Sequence, residues 1–92
     1  PPIIRSLTLE SEPGSTTVLA TVDLFGNWGE RTRFGVTDRG TCATNTSFTP
    51  GEPIAPIVFT GVPGEAMVVT VCATNEWGDA TPVTRQITVG GT

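Results

Sequence analysis

Apolar and polar residues alternate along Thr17–Phe25. Val18, Ala20, Val22 and Leu24 fall on one face, and Thr17, Thr21 and Asp23 on the other. A period of two marks a strand with one buried and one wet face. The pattern returns over residues 31–37, where it turns Thr32, Phe34 and Val36 inward and Arg31 and Arg33 outward. Met67, Val69, Val71 and Ala73 form a third case, in which the intervening Cys72 is expected to point away from the core. Val83, Ile87 and Val89 form a fourth, and weaker strands are predicted over residues 3–9, 41–48 and 57–62.

That makes about seven strands, separated by turn signals at Pro13 and Gly14, Gly26 and Asn27, Asp38 to Gly40, Pro50 and Gly51, Pro63 and Gly64, and Gly78 and Asp79. Spacings of roughly 8–12 residues between strand signals are the rhythm of a sandwich or barrel. Pro and Gly interrupt every long window, and Val and Thr between them disfavour helix. The predicted fold is all-β: a seven-strand antiparallel sandwich of two sheets, one domain over residues 1–92. Its core is predicted to hold Ile4, Val18, Ala20, Val22, Leu24, Phe34, Val36, Phe59, Val69, Val71, Ala73, Ile87 and Val89.

Composition narrows the function. Mean hydropathy is near zero, and no apolar run is long enough to span a bilayer, so membrane insertion is not expected. Net charge is −4, and the only cations are Arg5, Arg31, Arg33, Arg39 and Arg85. So few scattered cations cannot neutralise a phosphate track, which argues against nucleic acid as a partner. The first residues, Pro1 and Pro2, and the last, Gly90 to Thr92, read as linker ends of a module in a longer protein.

Residues 57–89 carry a family pattern. Phe59, Thr60, Gly61, Val62, Pro63, Gly64, Glu65, Ala66 and Met67 are followed by Val69, Val71, Ala73, Asn75 and Gly78, and then by a last strand from Val83. This stretch resembles the second half of a fibronectin type III domain. Leu24 stands where that family has a core Trp, and Met67 where it has a corner Tyr. The resemblance implies an immunoglobulin-like sandwich in a multidomain extracellular or cell-surface protein, here expected to be bacterial. In such a protein the module's partners are the neighbouring domains of its own chain.

The residues of catalysis are sparse. There is no His, Lys or Tyr, which removes the commonest proton-transfer groups at neutral pH. No Ser lies in a Gly-x-Ser-x-Gly elbow, and no phosphate-cradling or Ca²⁺-binding loop pattern occurs. With two Cys and no His, a zinc site lacks ligands. The expectation is a chain that is not an enzyme and has no cofactor. The even pair Cys42 and Cys72 suits a disulfide in an oxidising compartment. The resemblance, however, places their strands roughly 9–10 Å apart, beyond the reach of about 7 Å between bonded alpha carbons. A bond therefore requires the segment carrying Cys42 to leave the family path. Asn45, Thr46 and Ser47 form a glycosylation sequon, relevant only in a eukaryotic secretory host.

Two loops hold the remaining candidates. Trp28 and Glu30 follow the second strand, and Glu76, Trp77 and Asp79 follow the sixth. The resemblance puts both loops at one pole. One reading folds each Trp back over the end of the core in place of the missing strand Trp. The other makes Trp28 and Trp77, rimmed by Glu30, Glu76 and Asp79, a surface for a protein or glycan. The first reading agrees with a structural spacer, the second with a recognition module.

Overall fold

The computed structural model describes residues 2–25, 32–39, 49–50 and 56–91. All regular structure among them is strand. The elements are β1 (Ile3–Glu10), β2 (Thr17–Phe25), β3 (Arg33–Thr37), β4 (Thr49–Pro50), β5 (Ile57–Thr60), β6 (Ala66–Asn75), β7 (Gly78–Asp79) and β8 (Val83–Thr88). One sheet has the order β1-β2-β5. In the other, β4 flanks β3, β3 flanks β6, and both β7 and β8 pair with the far side of β6. All pairings are antiparallel. Since β7 and β8 run in series along the same edge, the eight segments make seven strands in two sheets, as the periodicity predicts.

The inner faces are the predicted ones. Val18, Ala20, Val22 and Leu24 of β2 meet Met67, Val69, Val71 and Ala73 of β6, all buried. Each fully buried Val contributes about 1.5–3 kcal/mol of hydrophobic stabilisation, before entropy is counted. Ile4, Phe34, Val36, Phe59 and Ile87 are half-buried and pack against this cluster, and Val89 closes one end of it. Leu7 and Ala80 join the core without having been predicted there.

Two irregularities set the phase of the edges. In β1, Ile4 pairs with Leu24 but Ser6 with Asp23, so Arg5 is an extra residue. Strict alternation from Ile4 would turn Ser6 and Thr8 inward. The bulge shifts the phase by one and turns Leu7 in instead. The displaced Arg5 guanidinium lies 4.7 Å from the centre of the Phe25 ring. Along the other edge, the pairing of Asp79 with Thr74 gives way to that of Val83 with Val71. Pro82, which has no N–H to give a ladder, lies in the one-residue slip between them. Gly78 and Asp79, predicted as a turn, are therefore the start of an edge strand.

Cys72, expected to point away from the core, is nonetheless buried. It is only 3% exposed, although it alternates with Val71 and Ala73. Its partner across the sheet is Gly35, also buried, and Thr37 and Thr70 behind them are buried as well. This part of the outward face is dry, so pointing outward does not expose Cys72. The predicted strand at residues 41–48, and with it Cys42, lies outside the described residues.

The hydrogen bonds fix which ends of the strands come together. Ser11 Oγ donates to the Thr17 carbonyl at 2.9 Å and accepts from the Gly90 N–H at 2.8 Å. The Gly14 N–H donates to the Gly90 carbonyl at 2.8 Å, and the Gly64 N–H to the Val89 carbonyl at 2.8 Å. The β1–β2 turn, the β5–β6 turn and the end of β8 thus share one pole. Glycine is required there: Gly14 and Gly64 have φ of 77° and 91°, and each follows a Pro in the pattern of a type II turn.

Candidate functional site

Since β6 starts at the clamped pole, it ends at the opposite one, where β1 begins and β2 finishes. There β6 and β7 form a hairpin in which Asn75 pairs with Gly78. Glu76 and Trp77 are its two loop residues. The Asn75 carboxamide oxygen accepts from the Trp77 N–H at 2.9 Å, a side-chain turn that Asn readily makes. Gly78 has φ of 135°, which a residue with a Cβ adopts only under strain. The Asn75 side chain and the Gly78 backbone therefore both shape this turn.

The indole faces water. Trp77 is 57% exposed, so the expectation that it folds over the core end is overturned for this residue. Near this end of the core Leu24, Ala73 and Ala80 are all buried in the core cluster. Leu24, standing where the resemblance expects a Trp, is 9% exposed.

Beside the indole the carboxylates are differently held. Asp79 Oδ1 accepts from the Thr74 hydroxyl at 2.6 Å, and the same hydroxyl is 3.4 Å from the Gly78 carbonyl. That short bond fixes Asp79 against the strand. Glu76 projects from the tip and is exposed. Arg33 lies across β6 from Asp79, with Thr74 between them in register, yet it makes no ion pair with it. Among the described residues the only ion pair is Arg39 to Asp38, at 3.8 Å.

No family model, curated protein or solved structure matches the chain. The site is thus defined by its own geometry: an exposed indole on a stiff hairpin, next to two carboxylates without a described cationic partner. Trp28 and Glu30, the other two candidates, lie outside the described residues.

A second feature lies at the other pole. An open depression of about 440 Å³ lies between Glu10, Glu12, Pro13 and Leu19, at the clamped pole and away from Trp77. Its hydroxyls are those of Ser11 and Ser15, already engaged with the backbone, and of Thr17. Cys72, the other residue singled out by its chemistry, is buried and is not a free thiol.

Proposed function

We infer that the chain is a non-catalytic, fibronectin type III-like module that spaces neighbouring domains of a larger extracellular or cell-surface protein. The observation that carries this reading is the position of its first and last strands. β1 comes in at the pole of Trp77, and β8 leaves at the pole of Gly90, along a body 41 Å long and 24 by 17 Å across. A chain passing through such a body gains nearly its full length. The outgoing end is also secured: Val89, Gly90 and Gly91 all make backbone hydrogen bonds, so the axis of the module is carried into whatever follows it. The family reading is supported by the resemblance of residues 57–89 to that family's pattern and by a seven-strand sandwich of two sheets. A bond between Cys42 and Cys72 belongs to the same reading. It is supported by the burial of Cys72 and by its not being a free thiol.

Concatemers of one, two and three copies, measured by small-angle scattering, test the spacer reading. The maximum dimension should grow by close to the 41 Å length of the body with each copy. Growth of less than half that amount would mean that copies fold back on each other, and would overturn it.

A further inference from the structure

We propose that the hairpin tip carrying Trp77 is a docking site for an arginine- or lysine-bearing segment of a partner protein. The site goes beyond the spacer reading and does not depend on it. Three observations converge. Trp77 is 57% exposed on a turn whose shape is set by Asn75 and Gly78, so folding does not account for the choice of Trp at this position. The ring is a large apolar face held on a stiff support, so little freedom is lost when something covers it. Glu76 and Asp79 flank it, and neither has a basic partner among the described residues.

The chemistry of the occupant follows from that arrangement. A guanidinium or ammonium group over an indole is attracted by the ring quadrupole, most strongly for Trp among the aromatic residues. Carboxylates at the rim then accept hydrogen bonds from the same group, and charge assistance strengthens those bonds. The chain itself carries net charge −4, which steers a cationic segment towards it at low salt. A neutral glycan would gain the stacking but not the charge pairing, and an acidic segment would be repelled.

The test uses the ¹⁵N-labelled chain and three defined probes: the acetylated, amidated peptide Gly-Arg-Gly-Arg-Gly, its Glu counterpart, and cellohexaose. The indole N–H peak of Trp77 is assigned by its absence from the Trp77→Phe variant. The Arg peptide should shift that peak saturably, and the shift should weaken as salt rises from about 50 to 500 mM. Trp77→Ala should weaken binding roughly tenfold, read from backbone amides of Asn75 and Asp79. Glu76→Gln with Asp79→Asn should weaken it roughly threefold. Trp77→Phe should fall between Trp77→Ala and the parent, and melting curves must show all variants folded. Saturable binding of cellohexaose without the peptide would replace a cationic partner with a glycan. No binding of the Arg peptide, equal binding of the Glu peptide, or affinity unchanged by Trp77→Ala would each overturn the proposal. None of these outcomes alters the scattering result expected of a spacer.

Discussion

Placing a methyl group on Gly61 tests the packing at the clamped pole. A Cβ at this position would lie 2.9 Å from Val89 Cγ2, 3.0 Å from Met67 Cε and 3.4 Å from Val89 Cγ1. Carbon atoms rest at about 3.5–4.0 Å, so something must move by roughly half an ångström or more. Met67 can yield, because it ends in an unbranched and flexible chain. Val89 cannot yield easily. It is 1% exposed, its χ1 is stiff, and its backbone is held on both sides, by its N–H to Glu65 and its carbonyl to Gly64. Overpacking of this kind costs about 1–3 kcal/mol. The loss of unfolded-state freedom on replacing Gly by Ala returns about 0.4–1 kcal/mol. The expected net destabilisation of Gly61→Ala is about 1–2 kcal/mol, or a fall in Tm of roughly 5–10 °C for a domain of this size. Urea unfolding of Gly61→Ala, Val89→Ala and the double variant isolates the cause. Val89→Ala opens the space that the new methyl needs, so the double variant should lose about 1 kcal/mol less than the sum of the singles. Additive losses, or a Gly61→Ala variant as stable as the parent, would refute the packing argument.

Three further outcomes follow from the same structure. Val71→Ala, at a fully buried position in the middle of β6, should cost about 2–4 kcal/mol in urea unfolding, and a loss below 1 kcal/mol would contradict its placement. Ser11→Ala removes the acceptor of the Gly90 N–H and the donor to the Thr17 carbonyl, at about 1–2 kcal/mol. Faster hydrogen exchange at Gly90 is the local readout, and unchanged protection there would count against the clamp. Alkylation and mass spectrometry under denaturing, non-reducing conditions should find no free thiol, and reduction should cost about 3–4 kcal/mol by loop-closure arithmetic; two labelled cysteines would sink the bond between Cys42 and Cys72.

The buried faces of β2 and β6 were legible because period-two alternation follows directly from the pleat; β2 keeps it throughout, while in β6 the burial of Thr70 and Cys72 fills the outward face as well. β1 was half legible. The three-residue step from Ile4 to Leu7 is the trace of the bulge at Arg5, but a single odd step is easily read as a weak strand. The start of the last edge strand was missed because Gly78 and Asp79 are turn residues by type, and only their pairing with Asn75 and Thr74 makes them strand. The burial of Cys72 was not legible because alternation tells which way a side chain points and not what lies on that side. For Trp77, sequence supplied two readings of equal chemistry. The choice between them rests on the exposure of the side chain, 57% for Trp77, which the pattern of neighbouring residues does not encode.

The ends of β1 and β8 also decide how the domain responds to force. Both strands run the same way, from the pole of Trp77 to the pole of Gly90, and each is paired with an antiparallel neighbour: β1 with β2 over seven register pairs, and β8 with β6 over six. Tension applied between Pro2 and Gly91 pulls β1 and β8 along their own axes in opposite senses. Each ladder is then loaded in shear, with its bonds bearing the tension side by side. Had both strands ended at one pole, the same pull would have opened a ladder one bond at a time. A chain that unzips yields at a low force and gradually; one that is sheared holds until many bonds fail together.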